Sequence, residues 1–413
     1  MFSRILRFSG LPFLSAITPF LFLPILARVA GAEGWVAIAL GQSIGTFGAL
    51  VVSLGYNVVG PTLVHQVEVS ERRNLLRVSV QARATIFVPV AITAFVVASL
   101  LSPDRFKLAA GIMALAMTIV GLSASWYMIG LGKPAQLLVF DVLPKLLATA
   151  IAAVIVIFLH GDVVWYPALL AFASICSLGV YIGRTVGRSI LSVHPREILS
   201  TIRGSGSIVA AEVSGGSYAV LTVGFVSAIA PPLQAASYIS GDKLLKIGQV
   251  AIATIGNALQ GWVVEDKVIA TAARRRRQAL GVHIALGLAG LAVFATVAPW
   301  LSGFLFGQTV AIDFPTAVAF GVAVVALSLS TALTRYFLIP RGQRKAVLVS
   351  VLLGVAIGVP AIHVLTPVLG AQGAAWGLAA GELTVLIAQA ATVLFTGRKQ
   401  PRLTRRSDVD EAK

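Results

Sequence analysis

Apolar runs of membrane-spanning length follow one another along almost the whole chain, and that recurrence leaves few folds open. A helix needs about 20 apolar residues to cross a hydrocarbon core. By that measure spans are predicted at 10–29, 35–60, 79–101, 107–130, 136–159, 164–183, 205–228, 233–262, 280–305, 314–339, 346–367 and 371–395. Hydrophobic residues make up 57% of the chain and charged residues only 12%, against roughly 25% charged in a typical soluble domain. A soluble fold has too little interior to hide that much apolar surface, so lipid must be the solvent for most side chains. In lipid each backbone polar group has to be satisfied internally, which favours helices. The prediction is an all-α membrane protein of about twelve transmembrane helices. Pro12, Pro19, Pro24, Pro89 and Pro144 fall inside predicted spans, where neighbouring helices can take up the freed carbonyls. Arg4 and Arg7 precede the first run, as in a signal peptide. That run is long enough to span and lacks a clear small-residue cleavage site, so a retained first helix is expected.

The net charge of +16 would suggest nucleic acid in a soluble protein. Here it has another cause. Lys and Arg concentrate in alternate loops, which is the mark of a cytoplasmic face. With the N-terminus in the cytoplasm, 24 of the 32 basic residues lie on that face, three (Arg28, Arg105, Lys107) on the other, and five inside spans. One helix more or fewer would flip every later loop and even out the totals. Both termini are therefore expected in the cytoplasm, in the cell's inner (cytoplasmic) membrane, with no nucleic-acid partner. No loop is long enough to fold as a domain. The expected organisation is a six-helix bundle at 1–203, a second at 204–397, and a charged cytoplasmic tail at 398–413.

The two sixes carry an internal echo at a shift of 200 positions. The second span holds Gln42, Thr46, Ala49, Ser53 and Asn57, and the eighth holds Asp242, Lys246, Gln249, Ala253 and Asn257. Steps of three and four trace one helical face, and Gln260 extends it. A polar face on a spanning helix avoids lipid, so it lines a wet cavity between the halves or bonds to neighbouring helices. Because six is even, both halves have the same orientation, as in parallel-repeat transporters.

Ionisable residues inside spans are expensive and often functional. Asp141 and Lys145 are spaced for an intrahelical pair, as are Asp242 and Lys246, which leaves Lys243 as a surplus cation. Arg83 and Arg335 sit about a turn inside their helix ends. They either snorkel or form a cationic wall on the cavity, and Arg28 could close that cavity from outside. Glu212 and Glu382 are candidates for ion coupling, with protonation or pairing to another helix as the alternatives. His363 is expected at an interface. The candidate substrate-binding cations are thus Arg28, Arg83, Lys243, Lys246 and Arg335, and the polar lining is Gln42, Thr46, Asn57, Asp242, Gln249 and Asn257. Five bases against four acids leave the interior slightly positive, which suits an anionic cargo such as a phosphate.

Enzymatic signatures are sparse. There is no G-x-x-x-x-G-K-[ST] loop and no H-E-x-x-H, and the five histidines are dispersed. Gly130–Lys133 and Gly204–Ser207 read as loops. Asp408 and Asp410 form a D-x-D in the tail, a pattern of some glycosyltransferases. The single Cys176 is expected to be a small buried packing residue. No cofactor or metal is expected.

Four stretches carry a resemblance: Arg28–Trp35 (R-V-A-G-A-E-G-W), Trp126–Lys133 (W-Y-M-I-G-L-G-K), Tyr238–Leu244 (Y-I-S-G-D-K-L) and Phe306-Gly307. In their order and spacing the chain resembles the Wzx-type polysaccharide biosynthesis proteins, the lipid-linked oligosaccharide flippases of the MOP superfamily that also includes MATE exporters. The resemblance implies a MOP/MATE-like pair of six-helix bundles related by a parallel pseudo-two-fold around a central, often cationic cavity. It also implies alternating access and a polyprenyl-diphosphate-linked glycan as substrate, with membrane lipids and other polysaccharide assembly proteins as partners. The second half departs in having Ala228 where an arginine would match Arg28. Two other functions are open: a MATE-like cation-coupled exporter, which would favour an acidic cavity, and a membrane glycosyltransferase or polymerase, which would need acidic groups on outer loops.

Overall fold

The computed structural model describes residues 2–187, 193–264 and 269–397; the side chains of 2–23, 207, 211, 214–221, 258, 261, 262, 264, 269–272, 396 and 397 lie outside that description. The tail with Asp408 and Asp410 is likewise outside it. Among the described residues there is no strand. The helices are α1 (Phe2–Val52), α2 (Tyr56–Gln66), α3 (Arg72–Leu101), α4 (Lys107–Ile119), α5 (Ser125–Gly130), α6 (Pro134–Leu137) and α7 (Leu143–Phe158). They continue with α8 (Trp165–Thr185), α9 (Pro195–Ile229), α10 (Pro232–Val264), α11 (Ile269–Thr296), α12 (Ala298–Phe306), α13 (Phe314–Leu333) and α14 (Arg344–Gly397).

Two of these are pairs of helices joined by a glycine. α1 turns at Gly31 (φ 66°) and α14 at Gly370 (φ 60°), a left-handed conformation that costs glycine little. These turns fall at the gaps predicted between the first and second and the eleventh and twelfth spans. Eight described segments are long and apolar enough to cross a bilayer. The 35-residue α9 and 33-residue α10 are each about 50 Å long at 1.5 Å per residue, also enough to cross.

Burial sorts the spans by role. The stretches Asp104–Gly130 and Phe314–Arg341 have 56% and 61% of their apolar window inside the protein, against 17–28% for Arg72–Leu101, Pro134–Phe158, Trp165–Thr185, Ala273–Thr296 and Arg344–Phe395. Pro24–Gln66, at 72%, is the most buried of the eight, so the first half has two inner segments and the second has one, with the remaining candidate spans facing lipid. In the first half α4 packs on α1, α3 and α8; in the second α13 packs on α10, α11 and α14. That parallel arrangement is the one the repeat predicts. Close approach of α1 to α4 needs glycine. A Cβ on Gly41 would meet the Ala110 carbonyl and Met113, one on Gly45 would meet Ala114 and Met117, and one on Gly48 would meet Thr118. Small residues four apart let helix backbones touch in membranes.

Several boundaries differ from expectation. The second span does not end at 60. It bends at Leu54 and Gly55, both at positive φ, and runs on as α2 to Gln66. Arg72, Arg73 and Arg77 belong to α3, and Arg274–Arg277 to α11, rather than to long loops. Gly204–Ser207, read as a loop, is helical, and the boundary placed at 203/204 falls inside α9. Gly130 ends α5, and the turn that follows has Gly132 at φ 65°. Cys176 is exposed on α8 rather than buried, since a lipid-facing position needs no polar concealment. At the turn before α4, Lys107 bonds Asp104 at 2.6 Å and holds its carboxyl below the usual carboxylate range.

Candidate functional site

The apolar core is distributed unevenly between the two ends of the bundle. At the end away from the basic loops, a single cluster unites both halves, with Trp35, Ala37 and Phe106 from the first and Tyr238, Phe306 and Phe320 from the second. Trp35 stacks on Phe306 with ring centroids 5.4 Å apart. Arg28, exposed at this end, donates to the carbonyl of Phe304 in the other half. At the end that carries the basic loops there are two separate clusters. One joins Tyr56, Val64, Leu76 and Trp126, with Ile198 and Ile202 of α9 against it. The other joins Val263, Ala279, Ala332 and Tyr336. The core is one cluster at the sealed end and two at the other, where α9 bridges the halves: Val209 packs on the first of those two clusters.

The matched stripes run from the seal toward the separated end, and their exposure rises on the way. Gln42 (7%), Asp242 (2%) and Lys243 (5%) are buried. Thr46, Lys246 and Gln249 are half-buried, and Asn57 and Asn257 are exposed. Lys243 Nζ donates to Gln42 Oε1 at 2.8 Å, across the halves. Lys246 pairs with Asp242 at 2.8 Å, as its spacing predicts, and keeps 28% of its side chain in solvent. Further on, Arg335 donates to Asn257 and to Gln260 at 3.4 Å. It stands in a π turn, Thr334–Leu338, the kind of local widening that re-aims side chains. Glu212 is half-buried and accepts from Ser53 at 3.2 Å. Glu382 is 8% exposed, and among the described residues it has neither a hydrogen bond nor an ion pair.

Arg83 departs from both sequence expectations. It is fully buried, so it neither snorkels nor faces the cleft. Its Nη1 donates to the carbonyls of Gly121 (3.2 Å) and Ser123 (2.8 Å), and its Nε to Ser79 at 3.1 Å. The guanidinium lies over the rings of Tyr56 and Trp126 at 5.5 and 5.7 Å. The fourth span, expected to be continuous, is broken between α4 and α5, with Ser123 extended at ψ 142°. Such a break frees carbonyls in a medium without water, and Arg83 caps them. The Lys145–Asp141 pair forms at 2.8 Å on a second π turn, Leu138–Val142, with Ser123 donating to Asp141 at 3.2 Å.

Sequence reasoning missed His283. It is wholly buried between Ser328 (3.1 Å from Nδ1) and the Tyr336 hydroxyl (3.1 Å from Nε2), and that hydroxyl lies 3.3 Å from the Gly256 carbonyl. The network ties α11, α13 and α10 together beside Arg335. The expense argument applied to Glu382 would have found it, because His283 lies in an apolar run. His363 is exposed.

A family model described as "Polysaccharide biosynthesis protein" matches residues 8–260. The chain belongs to that family. A search of curated proteins finds no match. Solved structures give the fold. An inward-facing multidrug resistance MATE family transporter of the MOP superfamily superposes with a TM-score of 0.73 at 15% identity, over 93% of this chain and 96% of that one. The lipid II flippase MurJ in an inward closed conformation gives 0.65 at 12% identity, covering 95% and 88%. A MOP superfamily transporter from Pyrococcus furiosus gives 0.64 at 16%, covering 95% of each. This member of the polysaccharide biosynthesis family thus shares the fold of these MOP superfamily proteins, with several helices long and apolar enough to cross a membrane.

Proposed function

We propose that the chain carries a polyprenyl-diphosphate-linked oligosaccharide from the cytoplasmic to the outer leaflet of the cytoplasmic membrane by alternating access, with both termini in the cytoplasm. The observation that supports this most is the stripe shared by the two halves. It is polar and cation-bearing, it is sealed at one end, and it reaches solvent toward the end where the basic loops lie. A diphosphate entering there meets Arg335 and Lys246 before Lys243. The glycan follows into the polar cleft while the polyprenyl tail stays in lipid. The reading assigns no covalent step to the protein, whose other partners are membrane lipids and the assembly proteins that make and use the glycan. Glu212 and Glu382 are the proposed ion-coupling groups.

The test is flipping of an undecaprenyl-diphosphate-linked glycan in proteoliposomes. Lys243→Ala and Arg335→Ala should each slow it more than tenfold while the protein still inserts. Unchanged rates in both variants would remove the cationic mechanism. Elongation of a lipid-linked sugar by the purified protein would replace the flippase reading with an enzymatic one.

A further inference from the structure

At the point where the polar stripe meets the dry seal, one hydrogen bond joins the halves. Lys243 Nζ donates to Gln42 Oε1 at 2.8 Å, and both side chains are more than nine-tenths buried. The amide's orientation follows from chemistry, because an ammonium has only donors and must be met by the carbonyl oxygen. One turn nearer the cleft, Lys246 already holds the carboxylate of Asp242 at 2.8 Å. The neighbouring carboxylate of Asp242 is already engaged by another ammonium. The lysine nearer to water thus has an anion, and the deeper one is bonded to a neutral amide of the opposite half. A buried ammonium is stabilised better by an anion than by an amide dipole. An oxyanion coming up the cleft past Lys246 therefore outcompetes Gln42.

We propose that the Lys243–Gln42 bond is a cargo-released latch: a phosphate oxyanion takes Lys243 away from Gln42, and loss of that bond between halves lets the sealed end part. This deepens the flippase reading and rests on it, since the cargo must bring a diphosphate. It also gives the cargo what any conformational trigger needs, a different interaction energy in the two states. Beyond the latch the joint between the halves is carried mainly by apolar contacts such as Trp35 on Phe306, for which no anion can compete, with Arg28 on the Phe304 carbonyl at its exposed rim. Gln42 acts through Lys243 and is a positioning residue.

A single cysteine replacing half-buried Thr46, in a Cys176→Ser background, reports the state of the cleft. A membrane-impermeant maleimide applied at the face with the basic loops labels it when that end is open. In proteoliposomes undecaprenyl diphosphate should lower labelling of this parent. Gln42→Ala should lower it several-fold before any probe is added. Gln42→Glu turns the bond into an ion pair and should raise the undecaprenyl diphosphate needed by tenfold or more. Misfolding cannot produce shifts of opposite sign. A response to inorganic diphosphate alone would place the trigger in the headgroup and supports the latch equally. If both Gln42 variants label and respond like the parent, the latch is overturned while the diphosphate reading stands. If undecaprenyl diphosphate changes labelling of none of the three, the diphosphate reading falls, and the trigger falls with it.

Discussion

Removing Arg83 tests whether a buried cation in this bundle serves the cargo or the scaffold. Its guanidinium satisfies two carbonyls, Gly121 and Ser123, that the break between α4 and α5 leaves exposed. A buried carbonyl without a partner costs about 1–3 kcal/mol, so the two together cost about 4. Contact with the rings of Tyr56 and Trp126 adds about 1–2 kcal/mol when desolvated. Against this stands relief from burying a charge, a few kcal/mol, and the cage is incomplete, because Nη2 has no hydrogen-bond partner among the described residues. Arg83→Met keeps the methylenes and isolates the polar balance, a net loss of about 2 kcal/mol. Arg83→Ala also empties three methylenes at about 0.8 kcal/mol each, for a loss of about 4. The assay is thermal unfolding in detergent, followed by the fraction still monodisperse, together with flipping per folded molecule. The expected result is stability falling in the order wild type, Met, Ala, with flipping per folded molecule preserved. An Arg83→Ala protein as stable as wild type but unable to transport would refute the capping argument and return Arg83 to the cargo path.

Three other perturbations are equally direct. Lys145→Met removes the ammonium paired with the nearly buried Asp141 carboxylate and should cost about 3–5 kcal/mol; Asp141→Asn combined with it should recover most of that loss in the same thermal assay. His283→Phe should cost about 1–2 kcal/mol by removing the ring's two hydrogen bonds to the Tyr336 and Ser328 hydroxyls, which keep the Gly256 and His283 carbonyls as partners, and unaltered unfolding would remove its role as a tie. Glu382→Gln should abolish the dependence of flipping on an ion gradient; wild-type flipping that ignores both proton and sodium gradients would end the coupling assignment.

The sequence made the spans legible because the price of polarity in hydrocarbon is paid along about 20 residues at a time. Pairs one turn apart, Asp141 with Lys145 and Asp242 with Lys246, were legible for a similar reason: helix geometry fixes their separation. Contacts between distant elements were not. Nothing local tells that position 83 finds the carbonyls of 121 and 123, because the break in the fourth span arises from packing and not from a proline. The shift of 200 pointed to Gln42 and Asp242 as equivalents, yet the residue that meets Gln42 is Lys243. Equivalence by repeat says which positions correspond, and contact depends on how the two halves lean.

The energies show why neither the latch nor the seal suffices alone. Trp35 and Phe306 are almost wholly buried in the sealed end. Aromatic side chains bury about 150–250 Å² each, worth about 4–6 kcal/mol at about 25 cal/mol per Å². Wetting even part of that surface outweighs a hydrogen bond to an ammonium, about 1.5–3 kcal/mol net. Moving a carrier from 1:99 to 99:1 takes about 5.5 kcal/mol. Release of Gln42 supplies up to about half of this. The remainder has to come from the other end, where two apolar clusters stand apart and Arg335, Asn257 and Asn57 reach solvent. Closing that end around a polar cargo would bury apolar surface there as it is exposed at the seal. Cargo that cannot fill the cleft should then shift the carrier only part of the way, by no more than release of the latch supplies.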